Sequence, residues 1–180
     1  MAVRDQSGGG GAAGNGLREE IGKRRPFDLP EQEAYLNLIR TEAVLTALGQ
    51  AIVRPFGLSE ATYNALRILR GATLGESPPG QRSCREIGAH LVARVPDVTR
   101  LVDRLVRMGL AERDRCEKDR RVVYVRITRK GLDLLARLDR PILEMHRAQL
   151  GHLTRAELAE LSRLLVKARE PHLREDPHEE

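Results

Sequence analysis

The sequence has few aromatic residues, few cysteines and no long apolar run, and each shortage excludes a class of protein. Aromatic residues make up 3% of the 180 residues and there is no Trp, so Leu, Ile, Val and Ala must fill the core, which favours helices packed on helices. The two cysteines, Cys84 and Cys116, form no C-x-x-C pattern, which argues against a disulfide framework or a zinc knuckle. No run approaches the roughly 18 apolar residues of a membrane span, and the start does not resemble a signal peptide. We therefore expect a cytoplasmic protein with no membrane partner.

Signals of catalysis and of metal binding are equally scarce. The sequence contains no pattern of an activated nucleophile and no carboxylate pair in an apolar setting. The glycine run at residues 8–11 lacks the Lys and the flanking strand of a phosphate-binding loop. His90, His146 and His152 share no ligand spacing with each other or with a cysteine. We expect neither an enzyme nor a resident cofactor or metal ion.

The length suits one domain with a short extension at each end. Residues 1–27 include the glycine run and few apolar side chains, which predicts a disordered Gly-rich arm. Residues 170–180 carry five acidic side chains and two prolines, which predicts an acidic tail. The folded part is then predicted to span residues 28–169.

Apolar residues at three- and four-residue spacing predict three helices in the first half of the folded part. The first runs from Pro30 to Pro55. The second covers residues 60–70 with Ser59 as its N-cap, and the third is short and begins at a capping box that pairs Ser83 with Glu86.

A fourth predicted helix is strongly amphipathic. We expect it to begin after Val95, with Pro96 and Asp97 in its first turn, and to stop at Gly109. On a helical wheel one arc is apolar, and it consists of Val98, Leu101, Val102, Leu105, Val106 and Met108. The opposite arc is polar and carries three arginines, Arg100, Arg104 and Arg107, beside Asp97 and Asp103.

The pattern then changes from helical spacing to alternation. Residues 111–115 and 123–127 read as two strands, and the charged segment 116–121 reads as the tip of a β-hairpin between them. Thr128 is predicted to cap a fifth helix that continues past Pro141, and a second capping box at Thr154 opens a sixth helix. The predicted fold class is mostly α with a small β-hairpin wing.

Positive charge is concentrated around the amphipathic helix and the hairpin. Residues 82–130 contain 14 Lys or Arg against 7 Asp or Glu, a net charge of +7, whereas the whole chain carries +5. A local basic stretch in an otherwise slightly acidic chain is typical of a surface that binds a polyanion. A short helix, a turn, an Arg-bearing helix and a charged hairpin, in that order, form the winged arrangement that places a helix in the DNA major groove.

Four segments in this region resemble the MarR (multiple antibiotic resistance regulator) family: residues 97–105, 109–113, 119–121 and 127–131. The resemblance covers roughly residues 33–168. It implies a winged helix-turn-helix homodimer whose first and last helices form the dimer interface. It also implies a role in transcriptional repression in the cytoplasm, on double-stranded operator DNA.

The resemblance also assigns roles to individual positions. It implies that the residues facing the major groove are Asp97, Thr99, Arg100 and Arg104. In the wing, Arg121 would enter the minor groove and Asp119 would brace the hairpin, while phosphates would be contacted by Arg94, Arg113 and Arg120. The chain departs from the family pattern at Val95 and Pro96, where a Ser or Thr often caps the helix.

Dimerisation also has support from the residues themselves, because the apolar stripes of the first and last helices exceed what a small winged-helix core can cover. Two-fold symmetry would place the two recognition helices, which are the Arg-bearing fourth helices of the two subunits, about 34–36 Å apart. It also implies a pseudo-palindromic operator. By resemblance, a small aromatic or lipophilic acid is a candidate inducer, bound between the first, second and fifth helices. Cys84 and Cys116 are interpreted as having no role in sensing.

A second hypothesis comes from another functional class. A winged-helix module can bind a protein partner and use its basic face only for nonspecific contact with DNA. The two hypotheses differ in what they require of Arg100, Arg104 and Arg121, since only the DNA-binding hypothesis gives these side chains a sequence-specific role.

Overall fold

The computed structural model describes residues 16–74, 80–115 and 123–173. The chain divides into two compact units, residues 1–47 and 48–180. Among the described residues, no helix combines the length and the apolar character that a membrane crossing requires.

The first unit contains α1 (Leu17–Glu20) and most of α2 (Pro30–Val53). Helix α1 lies in the segment predicted to be disordered, so that prediction fails for these residues. The physical reason is burial, because Leu17 is 4% exposed and offsets part of the cost of ordering the turn. An ion pair between Glu20 and Arg40, at 3.5 Å, links the short turn to α2 within this unit.

The second unit begins with the end of α2, followed by a 3₁₀ turn (Arg54–Phe56) and α3 (Glu60–Ala72). Ser59 caps α3 as predicted: its hydroxyl accepts the Thr62 N–H at 3.2 Å, and the Thr62 hydroxyl accepts the Ser59 N–H at 2.8 Å. Helix α4 (Cys84–His90) begins at the predicted capping box, in which the Glu86 carboxylate accepts the Ser83 N–H at 2.7 Å.

A three-stranded antiparallel sheet follows the order β1-β3-β2. Its strands are β1 (Gln81–Ser83), β2 (Ala111–Arg115) and β3 (Val123–Ile127). The two predicted strands are confirmed, and they pair from Ala111 with Ile127 to Arg115 with Val123. Strand β1 was not predicted, because three residues are too few for an alternating pattern to be visible. The predicted tip at residues 116–121 lies outside the described residues.

The core of the second unit packs against one side of α5 (Val98–Arg107). Side chains from α3, α4, α5, β3 and α6 (Arg129–Leu150) contribute, and the fully buried ones include Leu66, Leu69, Ile87, Leu105, Val125, Leu135 and Leu138. Leu, Ile, Val and Ala fill this core without any aromatic side chain among the buried residues, as the composition predicts. Helix α6 continues through Pro141, also as predicted.

Helix α7 (Arg155–Leu173) follows α6 and begins after the predicted capping box, where the Glu157 carboxylate accepts the Thr154 N–H at 2.8 Å. It ends later than expected. The acidic tail was predicted from Glu170, yet α7 extends to Leu173 and includes Pro171. Because proline has no N–H, Pro171 cannot donate the usual backbone hydrogen bond to residue 167 in this last stretch of α7.

Asp139 on α6 holds α3 and α6 together. Its carboxylate accepts two hydrogen bonds from the Arg70 guanidinium, at 2.7 and 2.8 Å, and it lies 3.6 Å from Arg67. The hydrogen bonds from Arg70 lower the pKa of Asp139 below its ordinary value, against the opposing effect of burial. Because the folded pKa is the lower one, the contribution of this pair to stability is complete above the unfolded pKa, about 3.9. It is lost as the pH falls through the folded value.

Replacing Asp139 with Asn should therefore destabilise the protein at neutral pH by about 1 kcal/mol, since the pair is bidentate but partly exposed. The deficit should shrink as the pH falls below about 4. Denaturant unfolding at pH 7 and at successively lower pH measures both effects. Glu144→Gln is the matched control, because Glu144 pairs with Arg140 on the exposed side of the same helix. An Asp139→Asn deficit that stayed constant with pH would contradict the account.

Candidate nucleic-acid interface

The N-terminus of α5 is fixed by the side chain of Asp97. Its backbone, with φ −137° and ψ 88°, is not helical, and its carboxylate accepts the Arg100 N–H at 2.9 Å. Asp97 is thus the N-cap and α5 begins at Val98. The prediction that Pro96 and Asp97 form the first turn is therefore wrong by two residues. The cap that seemed to be missing at Val95 and Pro96 is supplied by Asp97 itself. Its other carboxylate oxygen lies 3.1 Å from Nε of Arg100.

The two sides of α5 have opposite environments. Leu101, Val102 and Leu105 are buried and Val98, Val106 and Met108 pack against the core, as the helical wheel predicts. On the opposite side Thr99, Arg100 and Arg104 are exposed. The Arg100 side chain is 88% exposed.

Arg104 is exposed but also has a structural contact. Its guanidinium donates a hydrogen bond to the carbonyl oxygen of Gly57 at 2.8 Å. Gly57 has a φ of +72°, a left-handed conformation that ends the 3₁₀ turn and that favours glycine. This contact ties the middle of α5 to the turn that precedes α3, which sequence spacing does not reveal.

Strand β2 is attached to α5 by an ion pair between Arg113 and Asp103, whose Nη1 and Oδ1 atoms lie 2.8 Å apart. Arg126 on β3 pairs with two acidic residues of β2, Glu112 at 2.7 Å and Asp114 at 2.9 Å. The base of the hairpin is therefore attached to α5 by one ion pair, and two further ion pairs connect β2 to β3. Asp103 was predicted only to face outward, and its role as the partner of Arg113 was missed.

The C-terminus of α5 is fixed by the start of α6. Lys130 Nζ donates to the carbonyl oxygen of Met108 at 2.8 Å, and the Thr128 hydroxyl donates to the carbonyl oxygen of Gly109 at 2.8 Å. Gly109 has a φ of +68°, so the predicted glycine stop is confirmed. A Cβ atom on Gly131 would lie 2.4 Å from the Leu110 carbonyl oxygen, so this junction also needs glycine on α6.

The remaining predicted site residues fall into two groups. Arg94 is exposed in the segment between α4 and α5, and Arg113 is exposed on β2. Asp119, Arg120 and Arg121 lie outside the described residues, as does Cys116. Cys84 is half-buried in the first turn of α4. In the described ranges no cluster of three or more His, Cys, Asp or Glu side chains could hold a metal ion.

A short helix, a turn, a basic amphipathic helix and an antiparallel hairpin define this chain as a winged helix-turn-helix protein. The model of the MarR family matches residues 59–123. A MarR transcription factor from Planctomyces limnophilus, known from its crystal structure, is 42% identical, with a TM-score of 0.59 over 78% of this chain and 98% of that chain. The chain belongs to the MarR family of transcriptional regulators.

Two further relatives extend this comparison. The HTH-type transcriptional repressor IacR of Pseudomonas putida is 33% identical over 86 residues, which are 48% of this chain and 52% of IacR, so the match spans about half of this curated relative. A MarR family transcriptional regulator from Streptomyces coelicolor, solved in complex with DNA, gives a TM-score of 0.69 over 82% of this chain and 92% of that chain. At 20% identity that likeness shows the fold alone.

Removal of the Asp97 carboxylate should destabilise the protein, since the N-terminus of α5 would lose its cap. We expect Asp97→Ala to lower the free energy of unfolding by about 1 kcal/mol, and Asp97→Ser to restore most of it because a hydroxyl can accept the same N–H. Denaturant unfolding of the three proteins provides the measurement. Equal stability of Asp97→Ala and the parent protein would show that the cap is not needed.

Proposed function

We propose that this protein is a sequence-specific transcriptional regulator that binds double-stranded DNA as a homodimer and represses its target. One observation carries the proposal: α5 buries Leu101, Val102 and Leu105 and points Thr99 and Arg100 into solvent. A helix held rigidly by one face and basic on the other meets the requirements for entering a major groove.

The exposed side chains of α5 differ in what they can contribute to recognition. Arg100 can donate two hydrogen bonds to O6 and N7 of a guanine, and the Thr99 side chain can contact a base through its hydroxyl or its methyl group. One N–H of Arg104 donates to the carbonyl oxygen of Gly57. A guanidinium has five N–H donors, so Arg104 can contact DNA as well. Asp97 acts mainly through the cap, which sets the direction of Arg100.

Phosphate contacts and wing contacts complete the proposed interface. Arg94 and Arg113 are exposed on either side of α5 in the chain and suit phosphate contacts. The ion pair of Arg113 with Asp103 orients its guanidinium without exhausting its donors. In the wing we assign the minor groove to Arg121, a phosphate to Arg120 and the bracing of the hairpin to Asp119.

A second copy of the chain is the proposed cover for apolar side chains that remain exposed. On α2 these include Tyr35, Leu38 and Ile39, which are 62%, 42% and 50% exposed. On α7 they include Leu161, Leu164 and Val166. These side chains recur at helical spacing on two long helices. They expose more apolar surface than a soluble monomer usually does. Two-fold symmetry would then present two recognition helices about one DNA turn apart.

Repression, a response to a small molecule and a cytoplasmic location follow from the family and are proposed with it. IacR is named as a repressor, which supports repression here. The effector class proposed for this chain is a small aromatic or lipophilic acid. Such a molecule can change DNA binding only by binding one arrangement of the recognition helices better than another.

Replacing Arg100 with Ala should weaken binding to the preferred operator by about 1–3 kcal/mol and relax selection at one position of each half-site. Selection of bound sequences from a random duplex library, followed by affinity measurements on the winning site, tests this. The parent protein should select a pseudo-palindrome with half-sites about 10 base pairs apart.

Arg140→Ala is the matched control, because Arg140 is an exposed arginine of α6 that pairs with Glu144. The control should bind the operator with parental affinity. A library that yields no motif, or an Arg100→Ala protein that binds like the control, would contradict sequence-specific binding. That result would favour the alternative of a winged-helix protein-interaction module with only nonspecific affinity for DNA.

The proposed dimer predicts that a charge on the apolar side of α2 separates the subunits. Ile39→Glu should weaken self-association at least about tenfold, since a buried charge without a partner costs more than 1.4 kcal/mol. Sedimentation analysis over a range of concentrations measures this. Leu74→Glu, at a position that is 87% exposed outside α2 and α7, is the control. A parent protein that remains monomeric at micromolar concentrations would rule the dimer out.

A further inference from the structure

A groove of about 440 Å³ lies beside the second half of α5 and contains an arginine that the interface described above does not use. Its lining consists of Gly57, Arg104, Arg107 and Met108. Two of these residues carry a guanidinium group, and none of the lining residues that the structure describes carries a carboxylate. Both arginines are exposed. A surface with two positive charges and no acid in its lining favours an anionic partner.

The acidic residue that sequence spacing would pair with Arg107 is engaged elsewhere. Asp103 precedes Arg107 by four residues, the spacing at which an acid and a base pair on the surface of a helix. Its Oδ1 atom instead lies 2.8 Å from Nη1 of Arg113 on β2. Within residues 16–74, 80–115 and 123–173 no carboxylate forms an ion pair with Arg107. In that part of the chain nothing competes with an external anion for its guanidinium.

Arg107 lies on the same side of α5 as the residues proposed to enter the major groove. A helix turns about 100° and rises about 1.5 Å per residue, so Arg104 and Arg107 lie within about 40° of Arg100 around the axis. By the same geometry Arg107 lies about 10 Å further along the helix than Arg100. The major groove is about 12 Å wide. With Arg100 on the bases, Arg107 is therefore at a suitable distance for the sugar–phosphate backbone that borders the groove.

Arg104 gives the groove a fixed wall. One of its N–H groups donates to the carbonyl oxygen of Gly57 at 2.8 Å, and a guanidinium has four further N–H donors. A phosphate oxygen accepts charge-assisted hydrogen bonds from such donors. A phosphate contact depends more on charge than on the exact direction of the donor, whereas the reading of a base edge needs a fixed direction. Arg107, which is exposed and has no carboxylate partner in the described ranges, suits a phosphate.

A simpler role for Arg107 is the one that any basic residue has near the end of a helix. Arg107 is the last residue of α5, where a positive charge interacts favourably with the helix dipole. That role would change the stability of the folded protein and would leave its affinity for DNA unaltered. The two roles are therefore separable by experiment.

We propose that this groove binds one phosphate of the DNA backbone, through Arg107 and a further N–H of Arg104. Arg107 then contributes to the affinity for DNA and not to the preference for a sequence. The proposal rests on the proposed DNA-binding function and deepens it, because it adds a contact residue beyond those that the family resemblance implies.

Salt titration of operator binding by the full-length Arg107→Gln protein tests the contact. A plot of log affinity against log salt should be shallower than the parental plot by about 0.9, the value for one lost phosphate contact. At about 0.1 M salt the affinity should fall about fivefold. Arg107→Lys should keep the parental slope because it keeps the charge. Arg140→Gln, at an exposed arginine of α6 that pairs with Glu144, should bind like the parent.

Neutral methylphosphonate linkages, introduced at one backbone position at a time, identify the phosphate. One position in each half-site should weaken binding by the parent but not by Arg107→Gln. The sequence that Arg107→Gln selects from a random duplex library should be the parental one, in contrast to Arg100→Ala.

Parental slope and affinity for Arg107→Gln would overturn the proposal, and would do so even if the free energy of unfolding fell, since a helix-dipole role would then suffice. An equal response of both proteins to every neutral linkage, or a changed sequence preference, would overturn it too. If the parent selected no motif, the proposed sequence-specific function would fail. The salt slopes of the parent and of Arg107→Gln on a random duplex would then still decide whether Arg107 contacts a phosphate.

Discussion

The burial of one side of α5 is the interaction on which the rest of the second unit depends. Leu101, Val102 and Leu105 are 9%, 0% and 0% exposed, and they pack within the same core as α3, β3 and α6. Because a helix turns about 100° per residue, these three contacts fix the direction of every other side chain on α5. Core packing therefore turns Thr99 and Arg100 toward solvent, and the contacts of Asp97 with the N–H and Nε of Arg100 then orient that side chain.

Burial fixes the rotation of α5 about its own axis. Polar contacts at its two ends and in its middle fix its position relative to the rest of the second unit. Asp97 caps the N-terminus, Lys130 and Thr128 bind the carbonyl groups at the C-terminus, and Arg104 reaches the turn at Gly57. None of these exposed hydrogen bonds is worth much more than about 1 kcal/mol. Their value is geometric, since they hold α5 in a fixed position relative to α3, the hairpin and α6.

Apolar periodicity and capping signals predicted six helices, α2 to α7, both hairpin strands and the buried side of α5, because residues that are buried on one side recur with the period of the element. It missed what depends on few residues or on distant ones. Strand β1 has only three residues, and α1 has a single buried side chain in a Gly-rich surrounding. Asp97 was predicted to lie in the first turn of α5 but is its N-cap, since sequence cannot distinguish the two positions when both favour aspartate.

The candidate site was predictable to the extent that it follows from the faces of α5. Arg100 and Arg104 are exposed, as the helical wheel predicted. The pairing of Arg113 with Asp103 and the contact of Arg104 with Gly57 join separate elements, so only the tertiary structure reveals them. The same holds for the contact between Lys130 and Met108, which gives the start of α6 a part in positioning the recognition helix.

The proposed function requires above all that α5 reads DNA from the major groove. Methylation interference tests this directly, because dimethyl sulfate modifies guanine N7 in the major groove and adenine N3 in the minor groove. On the selected operator, guanine methylation should block binding at two places about one helical turn apart, one in each half-site. Interference confined to adenine N3, or none at any guanine, would contradict the account.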